Sequence, residues 1–148
     1  MLYLDSSAIV KNYADEPDSG FFRSLLSRST DISTSVVSYA EVMAALNRKR
    51  REGGISKTQF AYATKTFRDD WPRYLQVPVS SALNPAIDRL VTDYSLRGFD
   101  SIHLASALQL VILLSLKPVF VCADGRLLDA AVREGLETFE GSQAESHR

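Results

Sequence analysis

Short apolar runs alternate with longer stretches of helical periodicity along the chain. Five runs have the length and residue types of β-strands, at residues 2–4, 32–36, 75–79, 118–122 and 136–139. The fourth run, PVFVC, is continuously apolar and contains β-branched residues, which is typical of a strand covered on both faces. We therefore expect the interior of a sheet at this point.

Apolar residues at helical spacing fill the segments between these runs. One helix is predicted from Ser38 to the Gly53–Gly54 pair, and the next from about Ser56 to Trp71, where Pro72 ends it. A further helix should end at Gly98, and the most apolar helix follows over residues 99–116 and should lie against the sheet. This alternation predicts an α/β fold with a mostly parallel sheet, right-handed crossovers and helices on both faces.

Length and composition limit the organisation of the chain. Its 148 residues suffice for one domain, which we place at 1–140, followed by a polar tail at 141–148 that is predicted to be disordered. The net charge is -1, so a nucleic-acid partner would need a local basic patch. The longest apolar stretch is shorter than the roughly 20 residues of a membrane helix, so we expect no membrane association. A single cysteine and the lack of a secretory signal favour the cytoplasm.

Four acidic residues occupy predicted junctions between strands and helices. Asp5 follows the first strand, Asp124 follows the fourth, and Asp100 begins the most apolar helix, while Glu41 lies in the first turn of the helix after strand two. In a parallel sheet these positions share one edge. Carboxylates that lie close together repel one another unless protons or cations neutralise them, and Mg²⁺ prefers oxygen ligands. The pattern thus predicts a magnesium site at this edge.

Each of these acids also has a purely structural interpretation. Asp5, Asp100 and Asp124 are placed to cap helices, and residues 38–41, SYAE, fit a capping box. Capping is the commoner role for any one of them taken singly. The crowding of all four at one edge is what favours a bound cation.

Two further residues beside these acids have both a functional and a structural interpretation. His103 is three positions after Asp100, where it can orient that carboxylate, touch a substrate or simply pack in the core. Ser7 is placed to hydrogen-bond to Asp5 or to a metal-bound water, although starting a helix explains it equally well.

The motifs around these acids resemble those of PIN domains, and most of all the VapC-type toxins of bacterial and archaeal toxin–antitoxin pairs. The resemblance extends from Met1 to about Phe139 and implies a PIN-like three-layer α/β/α sandwich with a mostly parallel central sheet of four to five strands. The stretches that carry it are MLYLDSSA at 1–8, Glu41, FDSIHLASAL at 99–108 and VCADGRL at 121–127.

The resemblance also implies an activity, a cofactor and partners. It implies that Asp5, Glu41, Asp100 and Asp124 are catalytic residues and ligands of Mg²⁺ or Mn²⁺ in an endoribonuclease that cleaves single-stranded or looped RNA. A homodimer and a small antitoxin protein are the expected partners, with no contact to DNA by this chain alone. Cys122 and Gly125 depart from the family pattern, in which Thr and a longer polar residue are frequent, so a supporting hydroxyl beside Asp124 is missing.

Basic and aromatic residues supply candidate contact surfaces. The run at 48–51 together with Arg97 and Arg126 is expected to meet RNA phosphates, although such a run also stabilises a helix C-terminus. Four aromatic residues lie on the segment that relatives use near the antitoxin and dimer contacts. Core packing explains most of them, and we expect one patch to be covered by a partner. These aromatic residues are Phe60, Tyr62, Phe67 and Trp71.

Three other functions remain open at this point. The first is a housekeeping RNA-processing PIN nuclease, and the second is a catalytically silent PIN-like binding module whose acids only cap helices. The third is a phosphatase with Asp5 as its nucleophile, but such enzymes usually carry a second acid two positions later, where this chain has Ser7.

Overall fold

Five short strands form a single sheet in the computed structural model, which describes residues 1–29 and 31–139. Their order across the sheet is β3-β2-β1-β4-β5, and every neighbouring pair is parallel. The strands are β1 (Leu2–Leu4), β2 (Ile32–Ser35), β3 (Leu75–Val77), β4 (Val119–Val121) and β5 (Thr138–Phe139). The predicted parallel sheet is confirmed, with five strands. The tail predicted to be disordered, 141–148, lies outside the described residues.

Seven α-helices surround this sheet in the described ranges. They are α1 (Ser6–Tyr13), α2 (Ser19–Ser27), α3 (Ser38–Arg51), α4 (Lys57–Asp70), α5 (Asn84–Tyr94), α6 (Gly98–Leu114) and α7 (Gly125–Arg133). Short 3₁₀ turns at Trp71–Arg73 and Ser81–Leu83 precede β3 and α5.

The sheet separates two apolar cores, because successive side chains of a strand point to opposite faces. Leu2 and Leu4 of β1 pack with the buried residues of α1, α2, α3 and α4. Tyr3 faces the other way and packs with Phe120 and the buried residues of α5, α6 and α7. The predicted three-layer α/β/α arrangement is therefore confirmed.

Helix ends agree with the predicted ones in part. Gly53, at a φ of 78°, follows the end of α3 as expected from the glycine pair, and α4 ends just before Pro72. The prediction that the next helix ends at Gly98 is wrong. Helix α5 stops at Tyr94, because Ser95 adopts the left-handed conformation and the chain turns Leu96 into the core, and Gly98 instead begins α6.

Helix α6 lies against the sheet along its first part only. Its residues from Ser101 to Ala107 are buried apart from Ile102, whereas Ile112 and Leu113 in the last turn are 74% and 64% exposed. The expected buried helix thus ends in an exposed apolar segment. Within the described ranges, no helix is both long and apolar enough to span a bilayer.

Candidate functional site

Asp5 leaves β1 at the carboxyl edge of the sheet and caps helix α1. Its Oδ1 accepts hydrogen bonds from the Ser7 hydroxyl at 2.7 Å and from the Ala8 N–H at 3.0 Å, so the predicted capping role is confirmed. The side chain is nearly buried, with the residue 4% exposed. Within the described ranges no donor contacts Oδ2. One oxygen of Asp5 is thus fixed by the protein, and the other remains available.

Ser7 joins the ends of the neighbouring strands β1 and β4. Its hydroxyl donates to Asp5 and also accepts from the N–H of Ala123, at 3.2 Å, just after β4. The backbone N–H of Asp5 donates to the carbonyl of Val121 at 3.1 Å, which reinforces the same connection. The position of Asp5 therefore depends on both strands.

Asp124 follows β4 by a short loop and caps α7, as predicted for its structural role. Its Oδ1 accepts from the N–H groups of Arg126 and Leu127, at 2.9 and 3.1 Å. The residue is exposed, unlike Asp5. The thiol of Cys122 donates to the carbonyl oxygen of Asp124 at 3.4 Å, so this side chain supports the loop and not the carboxylate.

The predicted capping roles of Asp100 and Glu41 are wrong. Asp100 is the third residue of α6, whose N-cap is Arg97, and no side chain caps that helix. Helix α3 also lacks a side-chain cap, because its N-cap is Val37, and the Ser38 hydroxyl bonds instead to Thr34 of β2, at 2.6 Å. Both acids are consequently free of N-cap bonds. The described ranges do contain a capping box, at Ser56 and Gln59 of α4.

A buried hydrogen-bond chain links β1 to Glu41 through His103. The Tyr3 hydroxyl lies 3.0 Å from His103 Nδ1, and His103 Nε2 lies 2.7 Å from Glu41 Oε1. Tyr3 and His103 are 0% and 1% exposed, so water does not replace these bonds. A hydrogen on Nε2 is donated to the carboxylate, and the phenol of Tyr3 is the hydrogen-bond partner of Nδ1. His103 thus orients Glu41 and not Asp100, the carboxylate considered from the sequence.

Tyr3 is the residue of this hydrogen-bond network that the sequence did not predict. The available signal was a tyrosine in a strand of otherwise aliphatic residues, because a buried phenol usually finds a hydrogen-bond partner. The partner itself is 100 residues away in the sequence, which no local pattern reveals.

Electrostatic effects connect the acids into one site. Burial raises the pKa of Asp5, as does the charge of Asp100, whereas His103, the Ser7 hydroxyl and the Ala8 N–H lower this pKa. Burial also raises the pKa of Asp100, followed by repulsion from Asp124 and, more weakly, from Glu41, with His103 and Arg97 opposing. The carboxylates therefore lie close enough to disfavour one another's charge.

The chemistry of these side chains suits a hard divalent cation. The site offers only carboxylate oxygens, and their mutual repulsion is relieved when a cation lies between them. Within residues 1–29 and 31–139, no three His, Cys, Asp or Glu side chains form a group that could hold a metal ion by itself. Mg²⁺ usually keeps several waters and takes one or two protein carboxylates together with substrate phosphate.

Cationic side chains flank the acids on several sides. Arg97 precedes α6 and lies near enough to lower the pKa of Asp100. Arg126 is exposed at the start of α7. Of the predicted basic run, Arg48 lines a groove of about 470 Å³ that also contains Ser7 and Glu41.

Of the four aromatic residues considered as partner contacts, only Tyr62 is largely exposed, at 74%. Phe67 is fully buried, while Phe60 and Trp71 are half-buried. Core packing therefore explains Phe67, and Tyr62 is the one of the four whose side chain is largely open to a partner.

The fold and site together define an α/β protein with an oxygen-only acidic site at the carboxyl edge of a parallel sheet. The PIN domain family model matches residues 2–116, and the chain belongs to the PIN domain family. It is 31% identical over 108 residues to Ribonuclease VapC45 of Mycobacterium tuberculosis (strain CDC 1551 / Oshkosh), covering 73% of this chain and 75% of that protein. Ribonuclease VapC49 of Mycobacterium tuberculosis (strain ATCC 25618 / H37Rv) matches with the same identity and coverage.

Solved structures with the same fold come from toxin–antitoxin and DNA-bound assemblies. The structure of FitAB bound to an IR36 DNA fragment superposes with a TM-score of 0.68 at 16% identity, over 95% of each chain. A toxin–antitoxin complex from Klebsiella pneumoniae gives a TM-score of 0.59 at 13% identity, over 84% of this chain and 87% of that one. At these identities the likeness concerns the fold alone.

Replacing Tyr3 with phenylalanine should destabilise the protein. The substitution leaves His103 Nδ1 buried without a partner, which costs about 1–3 kcal/mol. Urea unfolding monitored by circular dichroism measures this change. Tyr62→Phe, at an exposed position, is the matched control and should change stability by less than about 0.5 kcal/mol. Equal stabilities of the two variants would contradict the hydrogen-bond chain.

Neutralising Asp100 should stabilise the protein in the absence of divalent cations. Burial and the charges of Asp124 and Glu41 raise the pKa of Asp100, so its ionised form opposes folding at neutral pH, and Asp100→Asn removes that opposition. The urea midpoint in EDTA should rise above that of the unmodified protein. Asp88→Asn, on the exposed face of α5, provides the control and should leave the midpoint almost unchanged. A lower midpoint for Asp100→Asn would show that the carboxylate is stabilising.

Proposed function

We propose that this chain is a Mg²⁺- or Mn²⁺-dependent endoribonuclease and the toxin of a type II toxin–antitoxin pair. The observation that carries the proposal is the pair of buried or half-buried carboxylates, Asp5 and Asp100, whose charges disfavour each other beside Glu41 and Asp124. The relatives named Ribonuclease VapC and the membership of the PIN domain family support the same activity.

The residues of the site divide the work of phosphodiester hydrolysis. We assign the metal ligands as Asp5 and Asp100, with Glu41 and Asp124 completing the site. When bound, Mg²⁺ or Mn²⁺ would neutralise charge on the scissile phosphate and activate the attacking water. We assign the Oδ2 atom of Asp5 as the metal-binding oxygen, because Oδ1 already accepts hydrogen bonds from Ser7 and Ala8.

Supporting residues hold the acids in place and compensate the phosphate charge. Ser7 restrains Asp5, and His103 restrains Glu41 through a bond that Tyr3 supports from the core. Such partners of metal ligands are typically worth 10–100-fold in activity. Arg126 and Arg97 lie at the helix starts beside Asp124 and Asp100, where their positive charges attract RNA phosphates.

Partners of the chain follow from the same proposal. A small antitoxin protein is expected to cover the acidic site, and a homodimer is expected for the toxin. The apolar side chains at the end of α6 support a protein-covered surface, since Ile112, Leu113 and Leu116 are all more than 40% exposed. This chain alone is not expected to contact DNA.

RNA cleavage should depend on Asp5 and Asp100. Changing either to asparagine keeps the size of the side chain but removes a metal-binding charge, so the cleavage rate should fall by at least about a hundredfold. Single-turnover cleavage of a labelled single-stranded RNA measures this loss, with Asp88→Asn retaining full activity. Undiminished cleavage by Asp100→Asn would exclude Asp100 as a metal ligand, whereas no cleavage by the unmodified chain would favour a binding module without catalysis.

Expression in bacteria tests the toxin assignment together with the substrate. The unmodified chain should arrest growth and generate new RNA ends, whereas Asp100→Asn should do neither. Sequencing of RNA 5′ ends after induction identifies the cleaved RNA. Cleavage without arrest would favour the housekeeping RNA-processing nuclease, and a trapped phospho-aspartate at Asp5 would favour the phosphatase.

Divalent cations should both activate and stabilise the protein. EDTA should abolish cleavage and Mn²⁺ should restore it. A cation at a hundred times its dissociation constant adds about 2.7 kcal/mol to the free energy of unfolding. Thermal unfolding with and without Mn²⁺ measures this gain, which should be strongly reduced in Asp100→Asn. Equal gains in both proteins would place the cation elsewhere.

A further inference from the structure

A groove leads away from the acidic site between helices α1 and α3. It has a volume of about 470 Å³, within the range of about 300–1,000 Å³ that is common for small-ligand pockets. Ser7, Glu41 and Ala123 form its end at the acidic site, whereas Lys11, Glu16 and Arg48 lie along the remainder. Small side chains, Ala44 and Ala45, form part of the lining from α3. The groove therefore shares Ser7 and Glu41 with the proposed catalytic centre.

The spacing along α3 sets the length of this groove. Glu41 and Arg48 are seven residues apart, which is about two helical turns, or about 10 Å along the axis, on one side of the helix. Ala44 and Ala45 lie between them on that side and leave space above the helix. A phosphate-containing strand that is held beside Glu41 can therefore extend past the two alanines to Arg48.

Arg48 differs from the other cations at the groove because no described carboxylate pairs with it. Lys11 and Lys49 both bind Glu16, at 3.2 and 2.6 Å, so one carboxylate is shared by two ammonium groups. Arg48 is exposed and forms no ion pair with any described residue. Since Glu41 is assigned to the cation, the outer part of the groove carries excess positive charge.

A second groove, between α5 and α7, differs from the first in the charges that line it. It contains Arg126 and Arg133 but also Asp93 and Asp129, so its charges cancel. None of the four acids of the site lines this second groove. The α1–α3 groove is thus the better continuation of a path for a polyanion.

We propose that the α1–α3 groove holds the nucleotide next to the scissile phosphate of an RNA strand, with Arg48 bound to the phosphate on its far side. This inference rests on the proposed ribonuclease function and adds a substrate-positioning residue to it. An RNA strand suits the groove because its repeating phosphates match one cationic centre at the metal site and a second at Arg48. The alanines leave room for the sugar and base without selecting among bases, so Arg48 should affect affinity more than sequence preference.

The test measures RNA binding separately from cleavage. All proteins carry Asp100→Asn to prevent cleavage, and binding of a short fluorescein-labelled single-stranded RNA is followed by fluorescence anisotropy over a series of salt concentrations. Arg48→Ala should weaken binding about two- to fivefold, the effect of losing one exposed ion pair. The slope of log K against log salt should decrease in magnitude by about 0.7, as expected for one lost phosphate contact on a single strand.

Two further variants separate charge from shape. Arg51→Ala removes the same charge from the same helix, but Arg51 does not line the groove, so affinity and slope should stay close to those of the parent. Ala44→Trp fills the groove at an exposed position and should weaken binding at least about tenfold, since it excludes the strand. Circular dichroism confirms that each variant is folded.

The outcomes distinguish this inference from the proposed function. Cleavage by the unmodified chain together with equal effects of Arg48→Ala and Arg51→Ala would overturn the groove assignment and leave the ribonuclease intact. Unchanged RNA binding by Ala44→Trp would do the same and would leave the groove to a protein partner. Absence of cleavage in the unmodified chain with Mn²⁺ would overturn the ribonuclease proposal and the groove assignment with it.

Discussion

Repulsion between carboxylates at the carboxyl edge of the sheet is the constraint on which the rest of the site depends. Burial raises the pKa values of Asp5 and Asp100, and neighbouring acids raise them further. Few arrangements of a fold tolerate such crowding without a cation or a proton. The surrounding residues hold these side chains near one another. The negative charge therefore stays concentrated at one place, where a cation can bind.

The restraints come from the centre of the sheet. Strand β1 lies at the centre of the sheet, and its ends are held by polar groups of β2, where Ser33 and Thr34 donate to the carbonyls of Leu2 and Leu4. From this strand Asp5 projects directly into the site, and Tyr3 acts through His103 on Glu41. Buried and fully satisfied polar networks of this kind fix one geometry, because every broken bond leaves a buried group unpaired. Two of the four acids are thus positioned by β1.

The four acids differ in the hydrogen bonds that they make to helix starts. Helix starts supply N–H groups to Asp5 and Asp124, while Asp100 and Glu41 make no such bonds and keep oxygens for other partners. Cationic side chains stand outside the acids, at Arg97, Arg126 and Arg48. A negatively charged centre with a positive surround suits a polyanionic substrate that meets a cation at its reacting phosphate.

The periodicity of the sequence predicted the five strands and their alternation with helices, because these depend on local residue spacing. It also predicted that the four acids lie near strand and helix ends, and the shared edge of a parallel sheet brings such positions together. These acids are Asp5, Glu41, Asp100 and Asp124. The periodicity did not predict that α5 would end at Ser95, where burial of Leu96 outweighed the glycine signal, nor that Glu41 would pair with His103 and not with its own helix end. The hydrogen bonds of His103 to Glu41 and to Tyr3 join residues 62 and 100 positions apart, and only the packing of α3, α6 and β1 brings them together. The sequence by itself therefore determined which chemical groups reach the edge of the sheet. The tertiary structure decided which of their atoms are already bonded and which are left for a ligand, because hydrogen-bond partners are chosen by distance in space.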